Sequence, residues 1–238
     1  MILGLLKEHG DETRVALLPD NVQQLVNQHV EVLVESGAGN LAFVSDNDYI
    51  SAGAKIVDRK TVFEKSSILL QIQVPLAEDV KKIQPSQVWI SAFNPLWETA
   101  LVKTFQEKQI TTFSLDSIPR STRAQAMDIL SSQATVTGYK AVLDAALISP
   151  TFFPMFMTAA GTIRPANVLI LGAGVAGLQA IATARKLGAQ VEAFDVRTAV
   201  REEVKSLGAR FVEVEGAVED KAAGGYAVEQ TEEYKQKQ

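Results

Sequence analysis

The sequence predicts an α/β protein with two parallel-sheet domains joined by a helix. Three observations predict it. Short apolar runs alternate with amphipathic segments over roughly the first 120 residues, separated by short connections, the pattern of a parallel sheet covered on both faces. Residues 166–195 read ANVLILGAGVAGLQAIATARKLGAQVEAFD, which is strand, glycine-rich turn, helix, strand and carboxylate. The chain has 238 residues, 47% of them hydrophobic and 21% charged, enough for a real core in one or two domains.

The first domain is read element by element. Residues 1–5 form a buried strand, and residues 7–19 (KEHGDETRVALLP) a polar loop. Asp20 N-caps a helix with Val22, Leu25 and Val26 on one face. Residues 30–34 form the next strand, ended by the Gly37/Gly39 turn, and Ser45 caps a short helix with Tyr49 and Ile50 turned inward. Residues 55–57 form a strand, and Asp58 caps the helix carrying Val62 and Phe63. Residues 68–74 form a strand stopped by Pro75, Val80 and Ile83 mark a short helix, and residues 88–92, 96–108 and 110–114 are strand, helix and strand.

A linker follows, SIPRSTRAQAMDILSSQATVTGYKAVLDAA, in which a long helix starts between Gln133 and Gly138 and runs to about Ala146. Residues 145–163 carry no charge and approach membrane-spanning length, but Pro150 and Pro154 would break a helix there, so they are expected as a buried helix and connector. In the second domain, residues 168–171 and 191–194 are strands and residues 178–187 a helix; a further helix spans residues 199–207, and residues 211–214 form a third strand. The expected architecture is two Rossmann-like domains, 1–132 and 133–238. The second is a doubly wound dinucleotide-binding fold with only its first half present, because such a fold has about six strands and three are read here. The chain is accordingly expected to be a fragment.

The motif in residues 172–195 has a physical reading at each position. Gly172 turns the chain out of the strand. Gly174 leaves room for a pyrophosphate to approach the backbone, and Gly177 lets the helix pack close to the sheet. Between them Ala173, Val175 and Ala176 present backbone N–H groups at the positive end of the helix. Asp195 ends the second strand, where its carboxylate can accept from an adenosine ribose and repel a 2′-phosphate, which favours NAD(H) over NADP(H). The plain alternative is a tight turn such as any α/β protein contains; the strand before it, the helix after it and the acid beyond favour a dinucleotide site.

Composition excludes several classes. Net charge is −5 with no basic run, which argues against nucleic acid as a partner. There is no cysteine, so disulfides, thiol catalysis and cysteine metal sites are excluded, and no other residues stand at metal-ligand spacing.

The stretch LGAGVAGLQAIATARKLGAQVEAFDVR, with FPMFMTAAGT, AQAMDILSSQ and GYKAV before it, resembles the NAD(H)-binding component of the proton-translocating nicotinamide nucleotide transhydrogenases. The resemblance runs from the KE…ETRVALLP segment to GGYA, and the same fold is shared with alanine dehydrogenase. It implies a dimeric, peripheral protein on the cytoplasmic face of the inner membrane. That protein stands on a membrane proton-channel domain and exchanges hydride with NADP(H) on a partner subunit. It also implies that Arg120, Gln125, Asp128 and Ser131 position the nicotinamide, that Val196 and Arg197 join Asp195 at the adenosine end, and that Tyr226 lies on a mobile loop that closes over the nucleotide. That loop departs from the family pattern at Gln230, where an apolar residue is implied.

On the residues alone, Arg120, Gln125 and Asp128 suit a carboxamide or ribose hydroxyls, or equally an inter-domain turn with an ordinary ion pair. Arg14 is either a carboxylate binder of the alanine dehydrogenase kind or a salt-bridge partner of Glu8 or Glu12. An amino-acid dehydrogenase must move a proton as well as a hydride and needs a positioned acid or base. The two histidines, His9 and His29, are expected at the surface. The segments where alanine dehydrogenases carry their histidine and lysine read SAFNPL and Gln71-Ile72-Gln73-Val74-Pro75. Hydride passage between two nicotinamides needs no proton carrier, which matches a site of Arg, Gln, Asp and Ser. The alternatives are an alanine dehydrogenase-type enzyme and a non-catalytic NAD-binding module.

Overall fold

In the computed structural model of the chain, residues 1–119, 121–214, 231–232 and 236 are described, and they fall into two compact units, Met1–Asp128 and Ile129–Gln238. The first unit runs β1 (Ile2–Leu5), α1 (Pro19–Asn27), β2 (Glu31–Glu35), α2 (Asp46–Ser51), β3 (Lys55–Val57), α3 (Arg59–Lys65), β4 (Ile68–Leu70), α4 (Ala77–Lys82), β5 (Val88–Ser91), α5 (Thr99–Glu107) and β6 (Thr111–Ser114). Its sheet is parallel in the order β3-β2-β1-β4-β5-β6, with Leu3 opposite both Val32 and Ile68. This is the doubly wound order, in which the chain reverses direction across the sheet between β1 and β4.

Alternation along the strands sorts side chains to two faces. Leu3, Leu5, Val32 and Val34 pack with Val22 of α1 and Tyr49 of α2, while Leu69 and Trp89 pack with Val62 and Phe63 of α3, Val80 of α4 and Phe105 of α5. Gly4 lets α3 lie against the sheet: a Cβ there would stand 2.6 Å from Val62 Cγ1. The caps read from sequence at Ser45 and Asp58 form, accepting from Asp48 N and Thr61 N.

Several local expectations are corrected. Asp20 is not the N-cap of α1 but lies in its first turn: Pro19 opens the helix, and Asn21 Oδ1 accepts from Leu18 N at 3.3 Å. Pro19 at the first helical position sets the start one residue earlier than the cap preference of Asp20 suggests. Ile50 is exposed, because the single turn of α2 that faces the sheet is filled by Tyr49, whose hydroxyl donates to Leu17 O at 2.7 Å. The fourth strand stops at Leu70 because the next amides leave the ladder: Ile72 N and Gln73 N donate to the Glu8 carboxylate at 2.6 and 3.1 Å. The fifth helix starts at Thr99 because Asn94 O accepts from Trp97 N and Glu98 N, forming a turn that leaves Leu96 and Trp97 exposed.

The second unit contains α6 (Ile129–Ile148), an antiparallel hairpin of β7 (Phe156–Thr158) and β8 (Gly161–Ile163), then β9 (Asn167–Leu171), α7 (Val175–Lys186), β10 (Gln190–Phe194), α8 (Arg201–Ser206) and β11 (Arg210–Val212). The α6 helix begins earlier than the sequence suggests. Its serines and threonines satisfy themselves on the helix, Ser132 Oγ donating to Ile129 O, Thr135 Oγ1 to Ser131 O and Thr137 Oγ1 to Gln133 O, so the polar run SSQATVT does not break it. Residues 145–163 are not the buried connector expected. Leu147, Ile148, Met155 and Met157 are exposed, and the hairpin carries its side chains outward, while Phe153 is buried in the core. Among the described residues no helix is long and apolar enough to cross a membrane. The parallel strands order β11-β10-β9, with α7 packed on the core face through Ala180, Ile181 and Ala184.

Candidate nucleotide site

The glycine-rich turn links β9 to α7. Gly172 has φ of +94°, a left-handed conformation that costs a side-chain-bearing residue, and it bends the chain off the strand while its N–H still donates to Phe194 O at 2.7 Å. Gly177 is a packing glycine: a Cβ there would fall 1.8 Å from Gly172 O, so a side chain would push the helix off the turn. Gly174 differs from both. Its backbone is extended, and a Cβ would meet only Arg197 Nη2, at 3.9 Å. A nearly open space over Gly174, at the N-terminus of a 12-residue helix whose first-turn N–H groups face outward, is the cradle a pyrophosphate requires. Val175 opens the helix and Ala176 follows it, as the motif predicts.

Gly138 of α6 holds this turn from behind. A Cβ at Gly138 would lie 2.0 Å from Ala176 O, so the helix backbones meet where α7 begins. Sequence reading passed over this residue; a glycine inside a helical stretch was the available signal.

Asp195 follows β10 and is buried at 8% exposure. Its Oδ2 accepts from Ala173 N and from Arg197 Nη2, both at 2.7 Å; its Oδ1 accepts from Arg197 N at 2.8 Å and Arg197 Nε at 2.9 Å. Burial pushes this carboxyl up, but the Arg197 guanidinium with the Ala173 and Arg197 N–H groups outweighs it and holds Asp195 below the usual carboxylate range. The structure therefore brings Gly172–Gly177, Asp195 and Arg197 together, with Val196 between the acid and the arginine.

The residues expected at the nicotinamide end lie elsewhere in the chain. Gln125 begins a single 3-10 turn, Gln125–Met127, and is exposed; Asp128 closes that turn, its N–H donating to Gln125 O at 3.3 Å. Ser131 sits in the first turn of α6. Arg120 and Tyr226, with Gly224, Gly225 and Gln230, lie outside the described residues.

The first unit gathers polar residues where its sheet reverses, after β1 and β4. Glu8 is buried there; burial raises its pKa against the Ile72 and Gln73 N–H groups that it caps. Gln73 Oε1 accepts from His9 N at 3.0 Å, Gln71 Nε2 reaches Lys7 O at 3.4 Å, and Gln71 Oε1 is buried without a partner. Contrary to expectation, His9 is half-buried, its Nε2 hydrogen-bonded to Val74 O at 3.0 Å. His29 is exposed at φ +63°. Arg14 forms the salt bridge rather than standing ready for a carboxylate: it grips Glu12 with Nε at 2.8 Å and Nη2 at 2.6 Å, and this pairing lowers Glu12 to about 2.

Known proteins resemble the chain along nearly all of its length. Residues 4–137 match the family model for the alanine dehydrogenase/PNT N-terminal domain, and residues 141–237 match the C-terminal domain model. The first of the two proteins that make up NAD(P) transhydrogenase subunit alpha in Rhodospirillum rubrum is 43% identical over 235 residues, covering 95% of this chain and 61% of that protein. The crystal structure of transhydrogenase from Sinorhizobium meliloti superimposes with a TM-score of 0.87 at 42% identity, over 90% of this chain and 62% of that one. An L-alanine dehydrogenase structure superimposes at 0.79 with 24% identity, over 89% of this chain and 60% of that one, a likeness of fold. The chain thus spans about three fifths of the length of these relatives.

Proposed function

The chain belongs to the alanine dehydrogenase/PNT family, whose domains bind NAD(H), and from that premise we propose that it is the NAD(H)-binding component of a proton-translocating NAD(P) transhydrogenase. In this reading it exchanges hydride with NADP(H) on a partner subunit seated on a membrane proton-channel domain, as a peripheral component on the cytoplasmic face of the inner membrane. The observation that carries the reading is the cradle over Gly174 beside a buried, charged Asp195.

Gly172–Gly177 and the start of α7 hold the pyrophosphate, and Asp195 with Arg197 the adenosine ribose and its neighbourhood. When bound, the dinucleotide supplies the hydride donor or acceptor. Arg120, Gln125, Asp128 and Ser131 orient the carboxamide and ribose at the reacting end, and Tyr226 closes over the nucleotide. These residues bind, orient and exclude water, and none has to carry a proton, since passage between two nicotinamides releases none.

An amino-acid dehydrogenase needs a free carboxylate binder and an acid or base. Here Arg14 is committed to Glu12, Gln73 to His9 N, and His9 to Val74 O, which disfavours the alanine dehydrogenase alternative. A homodimer is favoured by the outward-facing apolar side chains of the β7–β8 hairpin, Phe156, Met157 and Ile163.

The test is to mix the chain with the NADP(H)-binding component and follow transfer from NADPH to an NAD analogue. The expected result is transfer that requires both components, with no turnover by the chain alone. Oxidation of NADH by pyruvate and ammonium would point to the dehydrogenase alternative. NADH binding without transfer would leave a non-catalytic NAD-binding module.

A further inference from the structure

Resting on the NAD(H) reading above, we propose that the Arg197 guanidinium is a stand-in for the adenosine ribose: it fills the acceptor positions on Asp195 that a cis-diol takes, and dinucleotide binding exchanges it from the carboxylate to the phosphates.

A carboxylate has about four acceptor positions, two on each oxygen. All four are taken on Asp195. One on each oxygen is filled by the backbone, Ala173 N on Oδ2 and Arg197 N on Oδ1. These donors are fixed by the turn and stay in place in any state of the site. The other position on each oxygen is filled by the Arg197 side chain, Nη2 on Oδ2 and Nε on Oδ1. A ribose 2′,3′-diol offers the same pattern as the guanidinium, two donors side by side for two oxygens. Asp195 can therefore take the diol only when the guanidinium lets go, and the number of positions released equals the number the diol needs.

Two further observations support an exchange over a fixed tie. The Asp195 side chain is only 6% exposed, so the carboxylate requires donors with or without nucleotide, and an arginine supplies them when ribose is absent. The Arg197 side chain is 27% exposed, and Nη2 stands 3.9 Å from where a side chain on Gly174 would begin. The guanidinium thus already borders the space where phosphates approach. On leaving Asp195 it meets a second anion, so its charge is compensated in both states.

Ligands that carry the diol without phosphates separate the two roles. Adenosine, ADP and NADH are titrated against the unaltered chain, Arg197→Ala and Arg197→Lys, with far-UV circular dichroism confirming the fold. Arg197→Gln, which keeps one donor for Asp195, replaces the alanine variant if that variant does not fold. Exchange predicts that Arg197→Ala binds adenosine about threefold tighter, because the competitor for Asp195 is gone, and binds ADP about tenfold weaker, because a charged hydrogen bond to phosphate is lost. Arg197→Lys keeps most of the ADP affinity. Equal changes for adenosine and ADP, or weaker adenosine binding, would make Arg197 a structural tie and overturn the exchange while leaving the NAD(H) reading intact. Failure of the unaltered chain to bind any of the three ligands would overturn the NAD(H) reading and the exchange with it.

Discussion

The Ala173 N–H donates to Asp195 Oδ2 at 2.7 Å, so the carboxylate after β10 is tied to the glycine-rich turn after β9. The two halves of the motif, 22 residues apart in sequence, are one hydrogen-bonded object. Asp195 therefore shapes the turn as well as facing its ligand. Asp195→Ala is expected to cost about 2–3 kcal/mol, because Ala173 N–H and the Arg197 guanidinium lose a buried acceptor. Hydrogen exchange at the β9 and β10 amides measures it; unchanged protection would mean the tie carries no stability. The milder Asp195→Asn should relax the preference of the site for NADH over NADPH, read as the ratio of dissociation constants.

The motif glycines should separate by mechanism. Gly174→Ala meets no atom closer than 3.9 Å and has an ordinary extended backbone, so stability should change by less than about 0.5 kcal/mol. NADH affinity should nonetheless fall at least about tenfold, since the methyl group fills the pyrophosphate space. Gly177→Ala should instead destabilise the unit by about 2 kcal/mol or more, because its Cβ would overlap Gly172 O. Urea unfolding and NADH titration of both variants check this, and equal loss of binding with equal loss of stability would contradict it.

Gly138→Ala extends the same logic to a residue outside the motif. Its Cβ would stand 2.0 Å from Ala176 O, so α6 and α7 must separate. The expected cost is about 1–3 kcal/mol, with a weaker nucleotide site because Ala176 lies in its first turn. A variant as stable as the parent would show that the helices slide apart freely.

Acid should unfold the protein through its paired aspartates. Asp79 is pushed up by burial but held below the usual range by Arg59, at 2.6 Å, and Lys82, at 3.0 Å; Asp195 is lowered as well. An unfolded aspartate titrates near about 3.9, so the stability from these pairs is complete above that pH and is lost as pH falls through the lower folded values. Glu8 acts with the opposite sign: its folded pKa is raised, so between its unfolded and folded values stability rises as pH falls. Urea midpoints between pH 7 and pH 3 should decline mainly below about pH 4. Asp79→Asn should lower stability by about 3 kcal/mol at pH 7 and flatten that decline.

At the reacting end, Gln125→Ala and Asp128→Asn should slow NADPH-to-NAD-analogue transfer more than they weaken NADH binding. Equal loss of both would make these residues binding groups only. The comparison uses the mixed two-component assay with NADH titrated separately.

Much of this was legible in the sequence because it is local. Apolar alternation placed the strands, Ser45 and Asp58 announced their helices three residues ahead, and Gly172, Gly174, Gly177 and Asp195 announced the turn. The errors share one cause, since each was decided by a partner distant in sequence. The early end of β4 depends on Glu8, more than 60 residues away, and the exposure of Ile50 on how Tyr49 fills the core. The outward face of residues 145–163 was hidden because an uncharged run reads the same whether it is buried or displayed.

By itself, the sequence determined that this is an α/β protein with a dinucleotide turn and an acid at the end of the next strand, since spacing and residue type suffice to set strand, turn and helix. Only the tertiary structure decided that Arg197 occupies that acid, that Gly138 braces the turn, and that Arg14, His9 and Gln73 are already engaged. Periodicity states which face a side chain is on. Which donor meets which acceptor depends on distances of a few tenths of an ångström, and those exist only after the chain has packed.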